Sequence, residues 1–325
     1  MTLLYYDPIL LEHKTGRHPE RPERLVQVVR HLERTGLDQR CKRPRWESVS
    51  PERLSRVHSL EYAAELRAIC ERGGGRVEAD TVCSSRSYEV AAFAAGAVCD
   101  AVERVMTTDE RRALCLVRPP GHHALRHSPM GFCLLNSVAL GARTATAEFG
   151  VDRVLIVDWD VHHGNGTQAA FWEDSQVGFV SIHRWPFYPG TGSSEETGSG
   201  SALGTKLNLP VEFGTSRAKY LALFQAGLER MAQKMKPQLI LLSAGFDSHR
   251  DDPVGSLGLE TEDFIALTRS VMQVADAYAN GRLVSTLEGG YNAGVLAGCI
   301  AVHLGELLGR DPPHNATGKV TPALL

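Results

Sequence analysis

The sequence predicts an α/β fold, in which a parallel β-sheet carries helices on both of its faces. Three observations predict it. Short apolar segments alternate along the chain with longer segments of helical periodicity. Polar residues follow several of the apolar segments directly. No internal repeat and no linker-like change of composition divides the chain, so we expect a single domain over residues 1–325.

The elements follow in order from local signals. Pro22 suits the first turn of a helix, Gly73 to Gly75 predict a flexible turn, and Thr261 is a candidate N-cap. Pro119 and Pro120 cannot continue a strand ladder, so they end the strand before them. The segment after Asp311 carries no regular pattern. Strands are predicted at 3–6, 113–117, 154–157, 177–183, 238–243 and 283–287, and helices after Pro22 and at 60–71, 86–106, 136–148, 167–172, 219–234, 261–278 and 293–308.

Composition excludes some classes of function. With 43% hydrophobic and 22% charged residues, the chain can bury a large core. Its net charge of -3 gives no electrostatic reason to expect nucleic acid as a partner. No apolar run approaches the ~20 residues that a membrane helix needs, and the first residues lack the basic region of a signal peptide. The seven scattered cysteines are typical of reduced thiols, most of them buried and inert, so we expect a cytoplasmic protein.

One stretch, VDRVLIVDWDVHHGNG at 151–166, organises the prediction of function. Asp158, Asp160 and His162 alternate after an apolar strand, so they are expected to project from one side of its end. Carboxylates are rarely buried without a compensating charge, and a metal cation is the simplest one. Asp247 follows another predicted strand, and three N/O ligands with an open position are the arrangement of catalytic zinc.

Two further groups would complete an active site. His122 and His123 follow one strand and can transfer protons, with Asp158 and Asn165 as candidate partners. Tyr291 follows two glycines and can donate its hydroxyl to a developing oxyanion. Taken singly, an aspartate such as Asp247 is more often a turn or cap residue than a ligand, and a tyrosine such as Tyr291 more often packs in the core. Their joint occurrence at successive strand ends favours metal-assisted amide hydrolysis.

Several motifs carry a more specific resemblance. RPPGHHA, GFCLLN, VDWDVHHGNGT, SAGFD and LEGGYN, with HPERPERL near the start, resemble the zinc-dependent histone deacetylase family. That family includes bacterial histone deacetylase-like and acetylpolyamine amidohydrolases. The resemblance implies the arginase/deacetylase fold, a three-layer α/β/α domain around an eight-stranded parallel sheet. It also implies hydrolysis of an acetyl-amine with release of acetate.

The resemblance also implies roles for individual residues. Zn²⁺ would be held by Asp160, His162 and Asp247. His123 would be the general base, and His122, paired with Asp158, its electrostatic or acid partner. Tyr291 would bind the substrate carbonyl. The remaining implied positions are Gly131, Phe132 and Tyr188 lining the substrate tube, Asp80 at its rim, and a structural K⁺ held by Asp158, Ser181, Ile182 and the main chain of Asp160 and His162.

The resemblance leaves the substrate open. With asparagine at position 165, the motif resembles the class II branch of the family. Tyrosine at position 291 implies an efficient deacetylase acting on acetyl-lysine in peptides or proteins. An acetylpolyamine or other small acetyl-amine is the alternative, which is weakened because Val254 stands where one polyamine-selective member has a glutamate. Glu195, Glu196, Asp251 and Asp252 are acidic candidates near the mouth. A long-chain lysine deacylase and a non-catalytic acetyl-lysine reader are further alternatives. The sequence leaves the oligomeric state open, with a homo-oligomer as one possibility.

Overall fold

A computed structural model describes residues 1–309, and the segment predicted to be irregular after Asp311 lies outside this range. Seven strands form one parallel sheet: β1 Leu3–Tyr5, β4 Arg112–Cys115, β5 Val154–Asp158, β6 Val177–Arg184, β7 Lys206–Val211, β8 Leu239–Ala244 and β9 Leu283–Leu287, while β2 Gly74–Arg76 and β3 Val82–Ser84 pair outside it. Their order in the sheet is β1-β4-β9-β8-β5-β6-β7. The apolar side chains of these seven strands are almost all buried, as expected for a sheet covered on both faces.

The expectation of an eight-stranded parallel sheet is wrong by one strand, because the described part of the chain forms seven. At the edge formed by β1, Lys42 makes a single β-bridge with Leu3. The Lys42 N–H donates to Thr2 O, and the Lys42 carbonyl oxygen accepts from Leu4 N–H. A parallel ladder would continue with a donor two residues later, at Pro44, which has no N–H. The proline therefore limits this edge to one bridge.

Helices cover both faces and complete the three layers. The helices are α1 Glu23–Thr35, α2 Pro51–Ser55, α3 Leu60–Glu71, α4 Ser87–Thr107, α5 Ser137–Glu148, α6 Asn165–Ala170, α7 Arg217–Met235, α8 Asp263–Tyr278 and α9 Ala293–Leu308. The helices α4 and α5 pack together over β4, β5, β8 and β9, while α7, α8 and α9 cover the other face and α1 packs on α9.

Three local predictions differ from the structure. The glycine triplet leads into a hairpin, in which β2 (Gly74–Arg76) pairs with β3 (Val82–Ser84). Thr261 is not the N-cap of α8, because the helix starts two residues later with Glu262 in that position. The strand β7 was not predicted, since it follows a long turn-rich stretch and contains Lys206, Asn208 and Pro210.

A buried ion-pair network fixes the N-terminal segment to the sheet. Glu20 accepts from Arg118 through both carboxylate oxygens, at 2.9 and 2.8 Å, and from Arg24 at 3.1 Å. His13 Nε2 lies 3.3 Å from the same carboxylate. All four side chains are about 1% exposed or less. Burial alone would raise the pKa of Glu20, but Arg118, His13 and Arg24 hold it well below its usual value.

Among residues 1–309, no helix is both long and apolar enough to cross a membrane.

The network predicts a large effect of neutralising Glu20. In Glu20→Gln the guanidinium groups of Arg118 and Arg24 stay buried without a counter-charge, so we expect a loss of about 3–5 kcal/mol in the free energy of unfolding. Chemical denaturation at pH 7 measures it. Because the folded pKa is depressed, the difference from wild type is present above the unfolded pKa and declines as pH falls through the folded one.

Glu52→Gln is the matched control, since Glu52 pairs with Arg56 at an exposed position. We expect it to change the free energy of unfolding by less than about 1 kcal/mol. Equal losses in the two variants would contradict the role of the buried network.

Candidate active site

The predicted site residues lie together at the carboxyl ends of neighbouring strands. His122 and His123 follow β4, Asp160 and His162 follow β5, and Asp247 follows β8. Tyr291 follows β9, which lies between β4 and β8 in the sheet. Ligand sites of parallel α/β sheets form at this edge, because every strand points its carboxyl end there.

The three candidate metal ligands are brought together as predicted. One ligand atom from each of Asp160, His162 and Asp247 lies within 4.8 Å of the other two, and all three residues are buried. His162 Nδ1 is 3.1 Å from Asp160 Oδ1 and 3.2 Å from Asp247 Oδ2. Asp158, which alternates with them in sequence, turns instead toward His122.

The cluster has the features of a cation site. Asp247 Oδ2 is buried and accepts no hydrogen bond from any residue in the described range, while Oδ1 of the same carboxylate accepts from Val161 N–H at 2.9 Å. Glycines surround the carboxylates closely, because a Cβ on Gly245 would collide with Asp160 and one on Gly289 would collide with Asp247. An unpartnered carboxylate oxygen facing a nitrogen and a second carboxylate fits a bound divalent ion.

The electrostatics of the cluster agree with that fit. Burial, with the neighbouring charge of Asp160, raises the pKa of Asp247 to about 7. Burial also opposes ionisation of Asp160, but His122 and His162 outweigh it and lower the pKa of Asp160. Ionising two carboxylates this close to each other costs free energy unless a cation lies between them.

The two histidines have different partners, and the partners fix their protonation. His122 Nδ1 is 2.9 Å from Asp158 Oδ2, and His123 Nδ1 is 2.7 Å from Asn165 Oδ1. The centroids of the two imidazole rings lie 4.0 Å apart. Since an amide oxygen only accepts, His123 donates from Nδ1 and keeps the lone pair of Nε2 free.

The pKa values of the pair move in opposite directions. Burial opposes a charge on His122, but Asp160 and Asp158 outweigh burial and raise its pKa to about 10. Burial, together with His122 and His162, holds the pKa of His123 well below its usual value. The pair therefore combines a cationic ring with a neutral ring that can accept a proton.

Tyr291 is held by a loop that sequence reasoning did not explain. Asp252 accepts the N–H of Tyr291 at 2.6 Å, and its other oxygen accepts from Val254 and Gly255. Arg24 donates Nε to Gly290 O at 2.6 Å and stacks over the Tyr291 ring. Burial raises the pKa of Tyr291 well above its usual value, so its hydroxyl keeps its proton.

A cavity of about 200 Å³ leads to these groups. Phe132 packs edge-on against Tyr291, with ring centroids 5.5 Å apart, and Tyr188 packs edge-on against His123 at 5.4 Å. Gly131 has φ +55°, and a Cβ there would collide with His123. The lining residues are Asp80, His123, Gly131, Phe132, His162, Phe187, Tyr188, Val254 and Tyr291.

The predicted potassium residues are also neighbours. Asp158 pairs with Ser181 across β5 and β6, and Ile182 is the next residue of β6. Asp158 Oδ1 accepts from Asp160 N–H at 3.0 Å, and Ser181 Oγ lies 2.9 Å from His183 Nδ1. This register places Asp158 and Ser181 side by side on neighbouring strands.

Sequence reasoning missed two residues that support the site. Glu288 is fully buried, and one of its oxygens accepts from Gly121 N–H at 2.6 Å and His122 N–H at 3.2 Å. Its other oxygen accepts from Ser243 at 3.0 Å. Phe187 stacks on His162 with a centroid distance of 5.2 Å. Both residues lie next to predicted positions in the sequence: Glu288 stands in the LEGGYN motif, and Phe187 directly precedes Tyr188.

The acidic candidates near the mouth divide into two kinds. Glu195 and Asp251 are exposed. Glu196 accepts from Gly192 N–H and Gln168, and Asp252 holds the Tyr291 loop. Two of the four, Glu196 and Asp252, therefore accept hydrogen bonds from within the protein.

Comparisons with known proteins agree on one family. The family model described as "Histone deacetylase domain" matches residues 18–307. The histone deacetylase-like amidohydrolase of Pseudomonas aeruginosa is 35% identical, covering 96% of this chain and 88% of that protein. Human polyamine deacetylase HDAC10 is 39% identical, covering 93% of this chain and 46% of the human protein. The crystal structure of the HDA15 HD domain superposes with a TM-score of 0.90 at 33% identity, covering 95% of this chain and 88% of that one.

The contacts of Glu288 predict its effect on stability. Glu288→Leu leaves the N–H groups of Gly121 and His122 buried without an acceptor, so we expect a loss on the order of 1–3 kcal/mol in the free energy of unfolding. Glu288→Gln keeps a carbonyl oxygen at this position and should lose less. Chemical denaturation of both variants measures the difference, and a leucine variant as stable as the glutamine variant would contradict the assigned contacts.

Proposed function

Because this chain belongs to the histone deacetylase family of hydrolases, we propose that it removes acetyl groups from lysine side chains with the help of a zinc ion. The observation that carries the proposal is the buried cluster of Asp160, His162 and Asp247 beside a histidine pair at the end of a narrow cavity. The proposed catalytic unit is one domain, since a single sheet takes its strands from Leu3 to Leu287.

Asp160, His162 and Asp247 would hold the zinc ion. Their two carboxylates and one imidazole suit this metal, and the unpartnered Asp247 Oδ2 supports the assignment. A zinc ion here would polarise the acetyl carbonyl and lower the pKa of a water molecule toward ~7. The same ligand types also accept ferrous iron, so metal content has to be measured.

The histidine pair would move the protons. His123 would act as the general base, since its pKa is lowered and its Nε2 lone pair is free. His122, oriented by Asp158, would keep a positive charge next to it and stabilise the negative charge that develops. Asn165 would fix the tautomer of His123.

Tyr291 and the cavity walls would position the substrate. The Tyr291 hydroxyl would donate to the carbonyl oxygen as it becomes negative. Phe132, Tyr188 and Gly131 would enclose the lysine methylenes, because two aromatic walls and a residue without a side chain leave a narrow apolar passage. Asp80, at the mouth, would accept hydrogen bonds from the substrate backbone.

We also assign a structural potassium ion to Asp158, Ser181 and Ile182, with the main chain of Asp160 and His162. The register of β5 and β6 supports it, since it aligns Asp158 with Ser181. Hard oxygen ligands of this kind suit an alkali or alkaline-earth cation, and the site would stiffen the segment that carries the zinc ligands.

A small acetyl-amine such as an acetylpolyamine is the alternative substrate. Identity of 39% to human polyamine deacetylase HDAC10 favours it, while the uncharged Val254 at the cavity wall favours acetyl-lysine. Kinetics with an acetyl-lysine peptide and with acetylspermidine, measured side by side, separate the two. A long acyl chain is the third possibility, and the same assay with an octanoyl-lysine peptide tests it.

Turnover of a fluorogenic acetyl-lysine peptide, with and without chelator, tests the proposed class of function. We expect zinc-loaded protein to release acetate and chelated protein to lose this activity, with recovery after zinc is added back. Tight peptide binding without turnover in the zinc-loaded protein would instead support a non-catalytic reader.

Removing one hydroxyl tests the role of Tyr291. In Tyr291→Phe we expect kcat to fall on the order of 10²–10³-fold with little change in substrate binding, because the donor acts where charge develops. Tyr278→Phe, at an exposed position, is the control and should leave kcat unchanged. Equal rates for wild type and Tyr291→Phe would contradict the assignment.

Removing one ligand tests the metal site. Asp247→Ala should purify with much less zinc than wild type, because two protein ligands remain where three are needed. Elemental analysis of the purified proteins measures it, and Asp251→Ala, an exposed carboxylate of the same loop, should keep the wild-type zinc content. Full zinc content in Asp247→Ala would remove Asp247 from the ligand set.

A further inference from the structure

Two of the seven cysteines meet where α3 joins the β2–β3 hairpin. Cys70 lies in the last turn of α3, and Cys83 is the central residue of β3. Each thiol shifts the pKa of the other, because the two side chains lie against each other, and the residues are 2% and 6% exposed. Both are free thiols in this structure. The assigned active site uses neither of them.

The glycine triplet explains why these thiols meet. Gly73 donates its N–H to Cys70 O at 2.9 Å and ends the helix. Gly74, with φ +81°, reverses the chain, and a Cβ there would collide with the main chain of Cys83. Gly75 then pairs with Cys83 in the hairpin. Three residues without side chains therefore allow β3 to lie directly against the end of α3.

The same hairpin carries the rim of the substrate cavity. Its turn contains Asp80 and Thr81, and Val77 N–H donates to Thr81 O at 2.9 Å. Thr81 Oγ1 accepts the N–H of Phe132 at 3.0 Å. Phe132 lines the cavity with φ +70°, a conformation that a bulky residue keeps only when its surroundings hold it. A change at Cys83, two residues from Thr81, is therefore transmitted to the cavity wall.

A small oxidant can reach the pair from outside. Cys70 lines a surface cavity of about 340 Å³, together with Arg67, Glu71 and Tyr88. The thiol of Cys70 also faces the backbone at Ser87 and Tyr88, at the start of α4. The hydrogen bond from Cys70, against the effect of burial, lowers the pKa of Cys83 to about 7, so Cys83 is the thiol that ionises first.

From this juxtaposition we infer that Cys70 and Cys83 form a reversible disulfide, with a low-molecular-weight disulfide such as glutathione disulfide as the oxidant. Cys70, which lines the cavity, passes its proton to the Cys83 thiolate and attacks one sulfur of the oxidant, and one thiolate leaves. Cys83, after losing its proton, attacks Sγ of Cys70 in the mixed disulfide and expels the second thiolate. The two protein protons are taken up by the two released thiolates, so two small thiols form for each protein disulfide.

The bond changes the position of the hairpin. A disulfide holds its sulfur atoms ~2.05 Å apart, well inside any hydrogen-bonding contact between thiols, so its formation draws β3 toward α3. Thr81 moves with β3 and shifts the wall at Phe132. This consequence rests on the proposed deacetylase function, and it predicts a rise in KM for an acetyl-lysine peptide with kcat little changed, because the metal ligands lie on other elements.

Non-reducing peptide mapping tests the disulfide without any activity measurement. The zinc-loaded full chain is incubated with glutathione disulfide, alkylated and digested. We expect a cross-linked peptide pair containing Cys70 and Cys83, which disappears after dithiothreitol. Cys70 and Cys83 recovered as alkylated thiols, or as separate glutathione adducts, would overturn the inference.

Variants connect the bond to the cavity. Cys70→Ser and Cys83→Ser should each abolish the cross-link and the oxidant-induced rise in KM, while Cys41→Ser, at a half-exposed cysteine outside the pair, should preserve both. A cross-link with unchanged KM would overturn the effect on the rim. A rise in KM that persists in Cys70→Ser would assign it to another cysteine. The cross-link is measured in wild-type protein, so the test remains valid even if a serine variant fails to fold. Reduced protein without deacetylase activity would contradict only the proposed function.

Discussion

The burial of several carboxylates at one edge of the sheet is the constraint on which the rest of the structure depends. Asp158, Asp160 and Asp247 are fully buried at the ends of two neighbouring strands. Such a group is stable only where hydrogen-bond donors and positive charges surround it. His122, His162 and main-chain N–H groups supply part of this compensation, and the unpartnered oxygen of Asp247 leaves a position for a divalent cation.

The surroundings of the cluster follow from that requirement. Backbone must approach the carboxylates closely, which explains glycine at positions 245 and 289. The loops that carry His122 and Tyr291 lie outside regular elements, so buried acids hold them: Glu288 binds the His122 loop and Asp252 the Tyr291 loop. Arg24 joins the Tyr291 loop to the Glu20 network near the N-terminus. Charged residues beside the site and farther from it therefore hold its loops in place.

The sequence predicted what periodicity and strand-end position determine. Alternating apolar segments predicted the parallel sheet, and the residues directly after strands predicted the ligand cluster and the partners of His122 and His123. It did not predict what depends on contacts between distant residues. Glu288 reads as one acid in a glycine turn until β4 lies beside β9, and β7 has too many polar residues for an apolar-strand pattern. The eighth strand came from the resemblance and is absent from the described range because Pro44 lacks a donor.

The most direct test of the account is anomalous diffraction from a crystal of the zinc-loaded protein, recorded on both sides of the zinc absorption edge. The account predicts one zinc peak per chain within bonding distance of Asp160, His162 and Asp247, at ~2.0–2.2 Å from their ligand atoms. A cluster without a zinc peak in protein that carries stoichiometric zinc, or a peak held by other residues, would contradict it.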